Sequence, residues 1–115
     1  MTNTYQIVRN AILGRQQVTA IYKRLPREMC PHILGWNEKG EEQALFYQFG
    51  GQSKHGLGPD GSSKNWRCIV LAELANVALR AGPWHTASLT GRTGKGSDCV
   101  HRVDITAAKP AYSGF

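Results

Sequence analysis

Arg27, Pro31 and His32 stand in one short stretch, R-E-M-C-P-H-I-L from Arg27 to Leu34, which closes on Trp36. A second stretch, N-W-R-C-I-V-L-A-E-L from Asn65 to Leu74, sets Trp66 and Arg67 at the head of an apolar run. A guanidinium presents a planar fork of donors that fits a phosphate with two bonds at once. Arg27 and Arg67, each at or near a strand start, are therefore the residues expected to hold an anion. The competing reading makes each a surface ion pair, with Glu28 or Glu73. Tyr22, Tyr47 and Trp66 could supply stacking faces for a base, although aromatics on strands usually belong to a core. His32 completes the candidate set. Its plainer reading is a satisfied core or rim histidine.

Other chemistries find less support. Cys30–His32, Cys68–His85 and Cys99–His101 resemble ligand pairs in spacing. Structural zinc sites bring two tight pairs together, and no second close pair is present, so neither a metal nor a cofactor is expected. The loop G-R-T-G-K-G-S, Gly91 to Ser97, looks like a phosphate cradle. A Walker loop needs G-x-x-x-x-G-K-[ST] between a strand and a helix; here Lys95 is followed by Gly96 and the spacing is short. Ser88, His85 and Asp98 are present without a nucleophile elbow or any other ordering motif, so no enzyme is expected.

The elements that must position these residues follow from periodicity. Tyr5, Val8, Ala11 and Ile12 form a stripe at helical spacing, which predicts a helix over residues 3–15 with Thr2 or Asn3 as cap and Gly14 at its end. Residues 17–24 alternate as a half-buried strand, and Leu25-Pro26 is expected to turn the chain. Residues 27–36 form a second strand. Pro31 cannot donate to a ladder, so this strand should be an edge or be bulged there. A turn at Glu38-Lys39-Gly40 leads to a third strand, residues 43–49, apolar on both faces. The glycine-rich loop from Gly50 to Ser63 is long enough to be functional or mobile. A strand from Trp66 to Leu71, a 3₁₀ turn at 72–74 and a short strand at 76–80 follow. Residues 85–90 and 99–106 could pair as a hairpin, and residues 107–115 read as a loose tail. The expected fold is mainly β. It is a single domain, a small SH3-like or Sm-like barrel over about residues 17–80, with an N-terminal helix and a C-terminal hairpin extension over 84–115.

The totals fit this reading. The chain has 115 residues, 41% hydrophobic and 19% charged, enough for one modest core and too apolar for general disorder. A formal net charge of +6 favours anionic partners. No acidic residue precedes Glu28, whereas Glu38, Glu41 and Glu42 gather around Gly40. The cysteines, Cys30, Cys68 and Cys99, are odd in number and widely spaced. Free thiols in a reducing compartment are expected. No signal peptide or membrane span is apparent, so a cytoplasmic protein is the expectation.

Residues 18–79 resemble the WYL domain, a small SH3-like or Sm-like barrel of bacterial ligand-responsive regulators. The resemblance is carried by V-T-A-I-Y-K, by Arg27-x-x-x-Pro31-His32-x-Leu34, by the third strand and by W-R-C-I-V-L-A-E-L. The family's namesake tripeptide is replaced by Q-A-L-F at 43–46. The aspartate-arginine pair usual after the fourth strand reads Ala72-Glu73, and no helix-turn-helix precedes the domain. A typical WYL transcription factor is therefore not expected. The resemblance implies a free-standing, divergent sensor or partner domain that binds a nucleotide-like or nucleic-acid ligand without reacting with it.

The leading expectation is a regulatory binding module for an anionic small ligand or nucleotide, with Arg27, His32, Arg67, Tyr22, Tyr47 and Trp66 at the site. The alternative is an Sm-like module for single-stranded nucleic acid, using Lys23, Arg24, Lys54, Arg92 and Lys95. A third is a protein-interaction subunit, with a homo-oligomer among its forms, that would use an exposed edge near Pro31.

Overall fold

A computed structural model of the chain describes residues 2–87 and 99–107. Helix α1, Asn3–Gly14, buries the expected stripe of Tyr5, Val8, Ala11 and Ile12. The Thr2 hydroxyl accepts from the Tyr5 N–H at 3.1 Å, satisfying one of the orphan donors of the first turn. Thr2 also donates through its backbone N–H and its hydroxyl to the Glu42 carboxylate, which ties the helix start to the sheet.

Strands β1 (Gln17–Tyr22), β2 (Leu25–Trp36), β3 (Glu42–Gly51), β4 (Trp66–Val70), β5 (Leu74–Arg80) and β6 (Arg102–Thr106) form one antiparallel sheet. Its order is β4-β3-β2-β1-β5, with β6 on β2. The mainly-β class expected from the sequence holds. A ladder joining β4 to β5, which would close a barrel, is not among those described.

Three expectations need correction. The first turn is not Leu25-Pro26. Tyr22 pairs directly with Leu25, and the connection is the two residues Lys23 and Arg24, at φ 51° and 68°. Both are left-handed, the geometry of a primed two-residue turn whose twist matches the flanking strands. The hairpin expected between residues 85–90 and 99–106 lies partly outside the described residues; residues 85–87 are not in a strand, and β6 pairs with β2 at Ile33–Trp36. β1 covers β2 only as far as Met29, so the later half of β2 is left with a bare edge. Gly35 lets the Arg102 backbone approach, since a Cβ there would meet the Arg102 carbonyl. The exposed edge near Pro31 is therefore not found, because β2 lies inside the sheet. The expected bulge is present, with a register shift between Pro31 and Ile33. Pro31 falls between the stretch held by β1 and the stretch held by β6, where a missing N–H is tolerated.

The third correction concerns the cysteines. Cys68 on β4 and Cys99 form a disulfide across 31 residues, and only Cys30, which is buried, is a free thiol. The odd count and wide spacing concealed the bridge because the partners meet only in three dimensions.

Two cores use the two faces of the sheet. Ala44 and Phe46 point with Leu34, Ile69 and Tyr5 into the cluster under α1. Leu45 and Tyr47 point the other way, with Ile33, Trp66 and Val100, beside the disulfide. The third strand is thus apolar on both faces, as its sequence implies. No described helix is long and apolar enough to cross a membrane.

Candidate anion-binding site

Arg27 lies near the start of β2, opposite Ala20 of β1. It is only 4% exposed, so a permanently charged group sits inside the protein. One terminal nitrogen, Nη1, donates to Gln48 Oε1 at 3.0 Å, and Nη2 donates to the Tyr22 carbonyl at 3.1 Å. Its Cζ lies 4.9 Å from the centre of the Tyr22 ring. Nε is buried with no hydrogen-bond partner. The ion pair with Glu28 considered above is not formed: Glu28 bonds Arg80 at 2.8 Å, and no carboxylate pairs with Arg27 among the described residues. Burial lowers the Arg27 pKa from its ordinary value, and the positive charge of Arg67 lowers it further, against an opposing effect of Tyr22.

Arg67, half-buried on β4, stands opposite Phe46 of β3. Gln48, two residues on from Phe46, shares that face by strand alternation. Arg67 donates from Nη1 to the Lys64 and Trp66 carbonyls at 2.7 and 3.0 Å, and from Nη2 to Ser53 Oγ and the Gly56 carbonyl at 3.3 and 3.4 Å. It therefore braces the glycine-rich loop while adding a second positive charge near Arg27.

That loop is folded through buried side chains. Asn65 accepts from the Gly58 N–H at 2.8 Å and donates to the Gly58 and Pro59 carbonyls. The Tyr47 hydroxyl accepts from the Gly61 N–H at 2.7 Å and donates to the Ser62 carbonyl at 3.0 Å. The loop departs at Gly51, φ 80°, where a Cβ would strike the Pro26 carbonyl and the Arg27 backbone. A glycine is needed there on both counts. Gln48 is the contributor that sequence reasoning missed. It is fully buried, and its amide donates to the Gly50 and Gln52 carbonyls, both at 2.9 Å. The available signal was a polar side chain on the inward phase of an apolar strand.

The six predicted residues divide between the two faces. Tyr22, Arg27 and Arg67 come together. His32, Tyr47 and Trp66 lie on the opposite side, in or beside the core next to the disulfide. His32 is 5% exposed. Its Nδ1 lies 2.9 Å from the Cys30 carbonyl and must carry the proton, and its Nε2 then accepts from the Thr86 hydroxyl at 3.0 Å. The ring stacks obliquely on Trp84 and meets Trp66 edge-on, both at 4.8 Å. Burial pushes its pKa down to about 4, against the Cys30 hydrogen bond and with some help from Arg15, so it is uncharged near neutrality. Tyr47 and Trp66 are buried and offer no open face.

Of the residues considered for nucleic acid, Lys23 and Arg24 are exposed at the β1–β2 turn and Lys54 is exposed in the loop. Arg92 and Lys95 lie outside the described residues, as do Ser88 and Asp98. His85 pairs instead with Asp60 at 3.0 Å and stacks on Phe49 at 4.0 Å. Among the described residues, no group of three His, Cys, Asp or Glu side chains could hold a metal. A groove of about 430 Å³ has Arg27 in its lining, but it opens beside Thr19, Ile21 and Glu28, which alternate with the face of the Arg27 guanidinium. No family model, curated protein or solved structure matches this chain.

Proposed function

We propose that this chain is a non-catalytic, WYL-like regulatory module that binds a phosphate-bearing anion at the end of the sheet where Arg27 and Arg67 lie. The observation that carries the reading is the buried Arg27 guanidinium, with one N–H group unpartnered and, among the described residues, no carboxylate paired with it. An isolated buried charge is costly. Arginine does not escape by losing its proton. A bound oxyanion would supply the missing charge and accept the remaining donors. The cytoplasmic setting expected from the sequence stays part of this proposal, and the Cys68–Cys99 bridge, a kind of bond that persists in oxidising surroundings, is the observation that speaks against it.

The test is a calorimetric titration of the folded protein with inorganic phosphate and with adenosine monophosphate. Arg27→Met keeps much of the aliphatic stem and removes the charge. It should weaken both ligands about tenfold or more, the value of a charge-assisted hydrogen bond. Equal binding by the folded variant, or no binding by the parent protein, would end this proposal.

A second reading, an Sm-like module for single-stranded nucleic acid, is favoured by one observation. Lys23 and Arg24 are both held in left-handed backbone at an exposed turn, a costly way to present two cations beside Tyr22.

A further inference from the structure

We infer that the groove between α1 and β6 is a docking surface for an extended, acidic segment of a partner protein, which adds to β6 as a further strand. The inference is independent of the anion-binding reading above.

β6 pairs with β2 alone, along the stretch that β1 leaves bare. Beyond β1, the next place in the sheet is filled by β5. Beyond β6, the corresponding place holds no strand among the described residues. Such an edge offers backbone donors and acceptors to an added strand. A groove of about 600 Å³ lies between α1 and β6. Ile12 and Leu13 of α1, with Val103 and Ile105 of β6, give it apolar walls. Leu13 is 60% exposed and Val103 is 47% exposed. Among the described residues, only Leu79 joins them as an exposed large apolar side chain. Two such residues gathered in one groove mark an interaction site, as scattered ones would not.

Charge selects the occupant. Asp104 accepts from the Tyr5 hydroxyl at 2.6 Å and from Arg9 Nε at 3.1 Å, so its carboxylate is compensated within the fold. Arg15 and Arg102 form no ion pair among the described residues. They stand at the two ends of β6. Arg102 opens the strand, with its Cζ 4.5 Å from the Trp36 ring centre, and Arg15 donates to the Ala107 carbonyl just past the other end. Five residues of strand span about 13 Å. The matching segment is therefore extended, with a carboxylate near each end and an apolar side chain on the same face between them. A second copy of this chain is the poorer occupant. Antiparallel pairing of two β6 strands would set Arg102 of one copy beside Arg15 of the other, cation against cation.

The probe is the peptide acetyl-Thr-Asp-Thr-Leu-Thr-Asp-Thr-amide, titrated into the full chain while amide chemical shifts are followed. It should move α1 and β6 resonances to saturation. Lysine in place of both aspartates should weaken binding about tenfold or more. Leu13→Glu, at an exposed position that the fold does not need, should weaken it by about the same factor, whereas Leu79→Glu should leave it unchanged. N-methylation of one alternate set of peptide amides should abolish binding and of the other set be tolerated, because only alternate amides face a neighbouring strand. No binding of the peptide, equal binding by Leu13→Glu, equal binding of the lysine peptide, or tolerance of both N-methylated sets overturns the inference. Sedimentation that shows a dimer broken by Leu13→Glu would assign the groove to a second copy. Peptide binding that appears only after removal of residues 108–115 would assign it to that segment. Either result also overturns the partner reading.

Discussion

At the scale of single residues, burial decides what each ionisable group can do. Arg27 and His32 are both nearly inaccessible, yet they resolve the conflict differently. Histidine can give up its proton, and His32 does: its ring nitrogens are matched to a carbonyl and a hydroxyl as the neutral tautomer. Its pKa of about 4 in the fold lies below the ordinary histidine value of about 6.5. The unfolded chain therefore binds the proton more readily. The stabilisation is complete above about pH 6.5 and is lost as pH falls through about 4. A shift of this size is worth on the order of 3 kcal/mol. Urea unfolding at pH 7, 5 and 4 should show this decline, and His32→Gln should flatten it. An unchanged pH profile in that variant would mean that other groups carry the acid sensitivity. Arginine has no neutral form within reach, so Arg27 keeps a charge that only an anion or a nearby carboxylate could balance.

At the scale of elements, local strain and long-range linkage hold the site's surroundings. Lys23 and Arg24 occupy backbone that Asn-Gly adopts more easily. Replacing Lys23-Arg24 by Asn-Gly should stabilise the fold by about 1–2 kcal/mol, the cost of a left-handed non-glycine residue. The same change removes two cations and should weaken polyanion binding. A urea midpoint that does not rise would show that the turn stores no strain. The disulfide joins β4 to the segment leading into β6, over the second core. Alkylation of the unfolded, unreduced protein should label Cys30 alone, and reduction should expose Cys68 and Cys99 as well. Closing a loop of 31 residues is worth about 3–4 kcal/mol, so reduction should lower stability by a similar amount. Labelling of all three cysteines before reduction would contradict the bridge.

At the scale of the whole molecule, charge is distributed by end. The β2–β3 connection carries Glu38 and Glu41 with Lys39, and Glu42 opens β3, whereas the β1–β2 turn and the β3–β4 loop carry Lys23, Arg24, Lys54 and Lys64 with Asp60. Among the described residues, four basic side chains thus gather at the connections nearest Arg27. A small anion engaging a few of these groups should give a slope of log affinity against log salt of about two or less. A nucleic-acid strand crossing all of these groups would release more counterions and give a slope beyond about four phosphates' worth. Titration of labelled single-stranded DNA and RNA at several salt concentrations distinguishes them. A steep slope with tight binding would replace the small-ligand reading with the Sm-like one.

Some of this was determined by the sequence alone because it is local. The stripe of Tyr5, Val8, Ala11 and Ile12 is a 3.6-residue period, and it specifies both the helix and its buried face. Alternation in β1 and the two apolar faces of β3 specify strands, and Pro31, which lacks an N–H, specifies a break in regular pairing. Arg27 and Arg67 stood out by charge type at strand starts. What lay beyond the sequence was long-range. Only folding could put Cys99 on Cys68, place β6 against the edge β1 leaves bare, and engage Glu28 with Arg80 instead of Arg27. Only tertiary packing sorted the six candidate residues onto two faces and recruited Gln48 to Arg27. Periodicity reports which way a side chain points within its own element. Which distant group it meets there depends on core packing and on the edges that remain to be covered.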